Sequence, residues 1–431
     1  MRYIIDVTQL VHWPGNLTGI PRVMDELSIR FHKYDSNDSI FVSWVKDLGE
    51  MCEIDFASTR SHRGNGIDYL RMSAVGGEQD VRTINTKQRL KRNSFRAFRK
   101  LSSLSHFDRT NTYDKLIRTG RTIDQANYIP YVPKKDDKIF IPWGEWWDQE
   151  WLNKVRSYAE EGAQVYPVCH DILPMVVPHF SGNSSSLADF VTQVFPVSKA
   201  VIVQSNSTKN DLTKWMRNER IDTPPVKIFR LGEDFGSQKT TVVSSEMIAK
   251  YGIKKDEYLV YVSTIEPRKN HTLLYYTYKL AHSRNIQLPK LLIIGRVGHD
   301  SNDIIKFIKE DAVINQSIVI CDFVSDNELN WLYQNCKFTV APSFYEGWGM
   351  SVVESIAKGK PAVCSNTSSL NEMPDDCVIR FNPNSTDECL DAIMSMNKPG
   401  NYTRYKRNAE QYKLHSWDDS YKQVLKIMEN N

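Results

Sequence analysis

The chain has 431 residues, 41% of them hydrophobic and 25% charged, which is an ordinary globular composition on a chain longer than one hydrophobic core usually serves. We therefore expect two domains. The seven cysteines include no C-x-x-C pair, which argues against both a disulfide framework and a structural zinc site and favours a reducing cytosol. The net charge is +3, but residues 82–121 hold twelve Lys and Arg against Asp108 and Asp114, a local charge of +10 that leaves about −7 for the rest.

The sequence predicts a cytoplasmic protein that is either soluble or peripheral on a membrane. The N-terminal stretch "MRYIIDVTQL" has the alternation of a strand and not the layout of a signal peptide. No apolar run approaches the roughly 20 residues that span a bilayer. The basic segment 82–121 carries apolar residues at mostly helical spacing, so it either docks on an anionic membrane surface or packs its apolar stripe on its own domain. Nucleic acid is not an expected partner.

Short β-rich runs alternate with helical patterns along both halves of the chain, which is typical of βαβ units and predicts two parallel sheets. In the first half, strands are predicted at 2–7, 39–45, 138–143, 164–169, 200–205 and 226–231. In the second half they are predicted at 258–263, 290–295, 317–322, 338–343 and 361–366, with helices at 271–285 and 327–336.

The domain boundary is predicted in the polar stretch 232–245, which follows the last strand of the first half. This gives an N-terminal domain at 1–235, including the basic segment, and a C-terminal domain at 236–410. The segment 411–431 is predicted to pack back toward the N-terminal domain, with a final helix that begins after Ser416 and has an acidic first turn.

Ligands of open α/β sheets bind beyond the carboxyl ends of the strands, so the residues that follow each predicted strand are the candidates for a site. In "STIEPRKNH" (263–271), Pro267 stops the strand, and Arg268 and Lys269 can point a guanidinium and an ammonium at the same phosphates. The alternative is a pair of surface charges capped by Asn270.

The stretch "APSFYEGWGMSVVESIAKGKP" (341–361) places Glu346 before a glycine turn and Glu354 about one turn inside a predicted helix. The free N–H groups at the start of that helix predict an anion site suited to a diphosphate. Because the two glutamates need not face each other, we expect them to bracket one elongated ligand. This disfavours a two-carboxylate hydrolase.

Three further stretches follow strands of the first half. His170 and Asp171 offer either a hydrogen-bonding or acid/base group at a cleft or a buried His-Asp pair whose hydrogen bonds are satisfied. The loop around Gly19 could approach a ligand. Four tryptophans at 143, 146, 147 and 151 either form a platform for an acceptor glycan or pack against a helix.

Together these segments resemble retaining glycosyltransferases of the GT-B fold, specifically glycosyltransferase family 4. The resemblance rests on "EGWGMSVVE" with its E-x7-E spacing, "EPRKN" (266–270), "IIGRVG" (293–298), "FVSDNEL" (323–329) and "GKPAVCSNTSSLNEM" (359–373), and in the first half on "TGIPRV" (18–23) and "HDILP" (170–174). It is nearly continuous over 257–373 and patchier before. It implies two Rossmann-like domains with parallel sheets that face each other across a deep cleft.

The resemblance also implies residue roles. Arg268 and Lys269 would neutralise the donor diphosphate, Glu346 would hold hydroxyls of the transferred sugar, and His170 would face the anomeric centre. The donor-binding residues implied are Gly19, Gly295, Arg296, Phe323, Val324, Gly347, Trp348, Gly349, Met350, Ser351 and Glu354, with Glu354 on the ribose. Asp171, Trp143, Trp146 and Trp147 are the candidates for acceptor contacts. No metal or other cofactor is expected.

The leading hypothesis is a retaining transferase that moves a sugar, with α-mannose from GDP-mannose as the first guess, to a saccharide or lipid-linked acceptor in surface polysaccharide or O-antigen biosynthesis. A sugar-nucleotide epimerase of the same architecture is the main alternative. Another donor, such as UDP-glucose, UDP-GlcNAc, dTDP-rhamnose or GDP-fucose, and a non-catalytic binding protein are the others.

Overall fold

The computed structural model describes residues 2–13, 17, 19–57, 129–180, 185–234, 244–321 and 324–430. Three sequence predictions therefore lie wholly or largely outside the described residues: the basic segment 82–121, most of the linker 232–245, and Phe323. Within the described part of the chain, no helix is long and apolar enough to cross a membrane.

The first half of the described chain forms a sheet of seven strands in the order β3-β2-β1-β4-β5-β6-β7. All neighbouring pairs are parallel except β2 and β3, which are antiparallel. The strands are β1 (Tyr3–Asp6), β2 (Ser39–Val45), β3 (Glu50–Glu53), β4 (Lys138–Ile141), β5 (Gln164–Cys169), β6 (Val201–Val203) and β7 (Val226–Ile228).

The second half forms a sheet of six described strands, all parallel, in the order β10-β9-β8-β11-β12-β13. The strands are β8 (Tyr258–Val262), β9 (Lys290–Ile294), β10 (Ile318–Cys321), β11 (Phe338–Ala341), β12 (Ala362–Ser365) and β13 (Val378–Phe381). The predicted α/β class with two sheets is confirmed, and the antiparallel edge strand β3 is the one departure from purely parallel pairing among the described strands.

Helices connect the strands and cover both faces of each sheet. The helices of the described chain are α1 (Thr8–His12), α2 (Ile20–Tyr34), α3 (Gln149–Glu160), α4 (Leu173–Val176), α5 (Ser185–Gln193), α6 (Asn206–Asn218), α7 (Ser244–Tyr251), α8 (His271–Ser283), α9 (Asn302–Glu310), α10 (Asp326–Asn335), α11 (Met350–Ala357), α12 (Thr386–Asn397), α13 (Pro399–Gln411) and α14 (Trp417–Glu429). Short 3₁₀ turns lie at Pro178–Phe180, Phe195–Val197, Pro267–Lys269, Ile314–Gln316 and Ser368–Glu372.

Successive strand residues enter different cores, because side chains alternate across a strand and both faces of each sheet are covered. Tyr3 and Ile5 belong to a cluster with Phe31 of α2, whereas Ile4 belongs to a cluster on the other face with Trp151 of α3. In the second sheet, Leu259 and Tyr261 of β8 belong to one cluster, and Tyr258 and Val260 belong to another. Continuous apolar runs such as "YLVYV" are therefore required by burial on two sides.

Serine side chains cap the starts of four described helices, including Ser385 at α12. Ser205 and Ser416 accept from backbone N–H groups in the first turns of α6 and α14, and Ser325 forms a reciprocal capping box with Glu328 at α10. Each such cap contributes about 1 kcal/mol to stability.

The last helix packs on the N-terminal domain. Trp417, Tyr421, Val424 and Met428 of α14 lie in the same buried cluster as β1 and α2. The chain crosses between the domains at Gly232–Asp234 and again at His415–Trp417, and the two crossings contact each other. The N–H of Trp417 donates to Asp234 Oδ1 over 2.8 Å. A Cβ at Gly232 would lie 2.3 Å from the Trp417 ring, so only glycine fits there.

Candidate active site

The candidate site lies where the strand order of the second sheet reverses, between β8 and β11. Connections leave these two neighbouring strands in opposite directions, which opens a crevice beyond their carboxyl ends. The loop after β8 carries Arg268 and Lys269, and the loop after β11 carries Glu346. The N–H of Phe344 donates to Arg268 O over 2.9 Å and ties the two loops together.

Glu346 is the centre of the site. Its Oε1 accepts from Lys269 Nζ over 2.5 Å and from Ser343 Oγ over 2.7 Å, and its Oε2 accepts from an Arg268 Nη1 hydrogen over 3.1 Å. Burial alone would raise the pKa of this carboxyl, but Lys269 and Arg268 outweigh that effect and lower it to about 2. Glu346 is therefore ionised at neutral pH and acts as a hydrogen-bond acceptor.

The two cations are held rigidly by the backbone around them. Pro267–Lys269 is a single 3₁₀ turn that ends at Asn270, which has φ +57° and whose amide donates to Pro342 O and Pro383 O. Arg268 also donates to Tyr345 O and to Glu266 over 2.7 Å each. The predicted pair is thus built into the interior, which disfavours the alternative of two surface charges.

The glycine turn between β11 and α11 lies against the N-terminal domain. A Cβ at Gly347 would lie 2.6 Å from His170 O, so this position and the predicted His170 segment face each other directly. Gly349 has φ +88° and precedes the first residue of α11. Because glycine has no side chain, Gly349 cannot cap the N–H groups of Met350 and Ser351. An anion site at a helix start requires N–H groups that the N-cap side chain does not occupy.

Glu354 lies one turn into α11 and contacts the other domain. Arg22 Nη1, from the first turn of α2, donates to its Oε1 over 3.0 Å, and the Tyr333 hydroxyl donates to its Oε2 over 3.0 Å. Burial raises the pKa of Glu354, while Arg22 and Tyr333 oppose that rise. The two glutamates of the E-x7-E element thus have separate sets of partners, as their predicted placement at two ends of one ligand requires.

The structure does not support acid/base chemistry at His170. Its Nε2 pairs with Pro142 O over 2.7 Å and its Nδ1 with the Gln204 amide, so both ring nitrogens are engaged. Burial lowers its pKa, so the ring is neutral. The structure favours the alternative of buried, satisfied groups for His170, while Asp171 is partly buried and its Oδ1 accepts from the N–H of Leu173.

The tryptophan cluster divides between packing and exposure. Trp151 is fully buried, Trp146 packs 6.0 Å from the Phe190 ring, and Trp143 packs 5.8 Å from the Trp13 ring. Trp147 is 52% exposed. Packing is therefore the role that the structure favours for Trp143 and Trp146, and Trp147 keeps the prediction of an acceptor contact.

Other predicted donor residues differ in their surroundings. Gly19 has φ +59°, begins α2, and has open space where a Cβ would be. Gly295 passes so close to β8 that a Cβ would lie 1.9 Å from Ser263 O. The side chain of Arg296 is exposed, and Val324 packs on the core beside β8.

Two of the predicted donor residues also join the domains by packing. Trp348 contacts the core clusters of both domains. Met350 packs on the N-terminal core, so only its backbone N–H remains available for the predicted phosphate contact.

Sequence reasoning missed Arg22, Tyr333 and Ser343. Arg22 had a signal, since "GIPRV" places a proline at the start of a helix and a guanidinium in its first turn. Nothing in one sequence showed that this helix faces Glu354. Ser343 and Tyr333 are common residue types whose partners lie on other elements.

Comparison with known proteins finds similarity to glycosyltransferases over part of the chain. Residues 243–412 match the family model of glycosyl transferases group 1. The O-antigen chain mannosyltransferase B of Escherichia coli is 29% identical over 181 residues, which is 42% of this chain and 47% of that protein. The serotype-specific mannosyltransferase WbdA of Escherichia coli is 24% identical over 230 residues, 51% of this chain and 28% of that protein. The chain thus covers less than half the length of these two relatives.

The fold comparison extends over the whole chain. A glycosyltransferase from Rickettsia africae ESF-5 aligns with a TM-score of 0.60 over 100% of this chain and 98% of that one, at 14% sequence identity, a likeness that concerns the fold alone. Both described sheets have counterparts in GT-B glycosyltransferases. The chain thus has the fold of GT-B glycosyltransferases, its residues 243–412 match the glycosyl transferases group 1 family, and part of it is similar to O-antigen mannosyltransferases.

Proposed function

We propose that the chain transfers an α-mannosyl residue from GDP-mannose to a saccharide or lipid-linked acceptor in surface polysaccharide or O-antigen biosynthesis, with retention of configuration and without a metal ion. The observation that carries the proposal is the assembly of Arg268, Lys269 and Glu346 at the strand-order reversal, beside the start of α11. The mannosyl donor is suggested by the mannosyltransferases among the relatives.

In this proposal the donor diphosphate lies between the cations and the helix start. A lysine ammonium has three N–H donors, and Glu346 accepts one of them from Lys269, so further donors can serve a phosphate. The N–H groups of Met350 and Ser351 add the partial positive charge of the helix dipole. As the sugar–phosphate bond breaks, negative charge grows on the leaving group, and these fixed charges stabilise it more than the ground state.

Glu346 takes hydroxyls of the transferred sugar and is not the nucleophile. Its carboxylate is already paired with Lys269 and Arg268, and its pKa of about 2 keeps it from donating a proton. In the proposed reaction the acceptor hydroxyl attacks the anomeric carbon on the leaving-group face, the bond to phosphate breaks, and the proton passes to the leaving phosphate oxygen. His170 contributes by position, since its backbone meets Gly347.

The donor is tested by a thermal-shift panel of GDP-, UDP-, CMP- and dTDP-sugars, because a ligand that binds only the native state raises the melting temperature. We expect the largest shift with GDP-mannose, followed by transfer to mannose-terminated acceptors that is unaffected by EDTA and yields an α product by NMR. A larger shift with another donor, loss of activity in EDTA, or a β product would each contradict the corresponding part. Epimerised donor without any transfer would establish the epimerase instead.

Substitution of Lys269 by alanine tests the site directly. Removal of one preorganised donor to a developing anion typically lowers kcat by about 100-fold or more. Lys306→Ala, a surface lysine in a loose pair with Glu310, is the matched control and should keep wild-type activity. Near-wild-type transfer by the Lys269 variant would contradict the proposed role.

Membrane contact by the basic segment 82–121 is a separate prediction, since that segment lies outside the described residues. Replacing Arg96, Arg99 and Lys100 by glutamate should abolish binding to anionic vesicles and leave transfer to a soluble acceptor unchanged. Unchanged vesicle binding at low salt would contradict it.

A further inference from the structure

We propose that Arg22 is a positioning residue for nucleotide binding: from the N-terminal domain, its guanidinium holds the Glu354 carboxylate charged and oriented for the two ribose hydroxyls of the donor. The inference rests on the proposed function, in which Glu354 takes the ribose. In this inference Arg22 of the N-terminal domain determines how well the Glu354 carboxylate of the C-terminal domain binds the ribose.

The geometry joins two domains at one carboxylate. Arg22 lies in the first turn of α2, directly after the open turn at Gly19, and reaches Glu354 Oε1 over 3.0 Å. Tyr333 of α10 reaches Oε2 from the C-terminal domain over 3.0 Å. Each oxygen of an ionised carboxylate can accept a second hydrogen bond, so both remain able to accept from a vicinal diol while the two protein donors fix the plane of the group.

The charge balance around Glu354 depends on Arg22. Three groups face this carboxyl: Arg22 from α2, Tyr333 from α10 and Lys358 from the end of α11. Burial raises the pKa of Glu354, and Arg22 gives the largest opposing effect. Lys358 opposes the rise less than Arg22 does. Without Arg22, the pKa of this carboxyl would therefore lie higher than it does with the guanidinium in place.

Protonation would weaken nucleotide binding. A neutral carboxyl carries a proton on one oxygen and loses charge-assisted acceptance on both, whereas the ionised form accepts from both ribose hydroxyls. Because Arg22 belongs to the N-terminal domain, nucleotide affinity is coupled to the approach of the two domains. When the domains separate, the guanidinium moves away from Glu354, and the protonated carboxyl, which is the weaker acceptor for the ribose hydroxyls, becomes more populated.

The test is calorimetric titration of GDP and UDP into wild type, Arg22→Gln, Arg22→Lys and Glu354→Gln between pH 6 and 9. The ratio of variant to wild-type Kd at each pH cancels the titration of the ligand itself. For Arg22→Gln we expect a ratio of about tenfold or more at pH 6 that becomes smaller as the pH rises, because a higher pH ionises the carboxyl even without its partner. The ratio for Arg22→Lys should lie between that of Arg22→Gln and unity. Glu354→Gln should bind the nucleotide weakly, with a ratio that does not change with pH.

A structural role alone would give a ratio for Arg22→Gln that is constant with pH, and that result overturns the inference. Wild-type nucleotide affinity in Arg22→Gln or in Glu354→Gln would also overturn the inference. The protein would still bind the nucleotide in that case, so the proposed function would not be contradicted. Failure of wild type to bind GDP, UDP or any nucleotide sugar would overturn the proposed function itself.

Two more variants secure the test. Arg30→Gln, on the same helix but paired with Glu26 and Asp418, is the matched control and should bind like wild type at every pH. Tyr333→Phe removes the other donor and should show a smaller ratio with the same pH trend, so the inference can be refuted even if Arg22→Gln does not fold.

Discussion

Replacement of Glu346 by glutamine should separate stability, binding and transfer. The substitution keeps the shape of the side chain but removes the charge that pairs with Lys269 and Arg268 in the interior. The variant therefore retains two buried cations with less compensation. We expect it to be less stable and to transfer poorly, yet to bind a nucleoside diphosphate at least as tightly as wild type, because the phosphates supply the missing negative charge.

The size of the effect on stability follows from the pKa of Glu346, which falls from 4.5 to about 2 in the folded state. A lowered carboxyl pKa adds stability above its unfolded value, and that stability is lost as the pH falls through the folded value. This difference corresponds to about 3 kcal/mol of unfolding free energy at pH 7. At pH 3.5 the same relation leaves about 2 kcal/mol.

The assay is urea unfolding of wild type and Glu346→Gln at pH 7 and pH 3.5, with calorimetric titration of GDP and UDP at pH 7. The gap in unfolding free energy between the two proteins should shrink by about 1 kcal/mol at the lower pH. Glu310→Gln is the matched control, since Glu310 is 68% exposed in a loose pair with Lys306, and it should leave stability within about 0.5 kcal/mol of wild type. Equal stability at pH 7, a gap independent of pH, or loss of diphosphate binding would each refute the reasoning.

Three further predictions concern the surroundings of the site. Burial, with Asp6 and Asp148 nearby, raises the pKa of Glu145 from 4.5 to about 7, so its contribution to stability is full below pH 4.5 and falls by about 3 kcal/mol as the pH rises to 7; Glu145→Gln should flatten that part of a pH series of urea unfolding curves. Gly349→Ala places a Cβ at φ +88° and 2.6 Å from a Leu370 methyl, so it should lose about 1–3 kcal/mol in urea unfolding and raise the KM for the donor, whereas Gly400→Ala, in open helical space, should not destabilise. Glu372 accepts from the N–H groups of Asn206 and Ser207 at the start of α6 in the other domain, so Glu372→Ala should lower the melting temperature by an amount equivalent to about 1 kcal/mol; an unchanged temperature would contradict this cap.

Most of the fold could be predicted because burial on both faces of a parallel sheet imposes long apolar runs. All eleven strands predicted from such runs are present. The two that were missed, β3 and β13, have only four residues each and lie at sheet edges. The sequence "EMCE" of β3 is half polar, since an edge strand needs little apolar surface, and no run identifies it.

Some contacts of the candidate site could be predicted from the order of the strands, and others could not. Arg268, Lys269 and Glu346 follow strands of one sheet, and topology alone brings strand ends together, so their proximity could be predicted. The contact of Arg22 with Glu354 joins residues 332 positions apart, in two domains. It depends on the angle between the domains, which no local pattern specifies.

Burial of polar and aromatic groups was the least predictable property. For His170 the sequence left open both proton transfer and a buried role, and in the structure Pro142 and Gln204, which follow β4 and β6, occupy both of its nitrogens. The tryptophans at 143–151 share one side-chain chemistry, yet they range from fully buried to half exposed. Composition gives the chemistry of such side chains, and only packing decides whether that chemistry is accessible.

The position of α14 has a consequence for synthesis on the ribosome. Trp417, Tyr421, Val424 and Met428 complete a core whose other buried members lie within the first 231 residues. The domain that is translated first therefore cannot close its hydrophobic surface until α14 has emerged, after the entire second domain. During that interval the nascent chain exposes the groove that α14 later fills, so we expect early-translated segments of this protein to need protection from aggregation even though the second domain can fold without waiting.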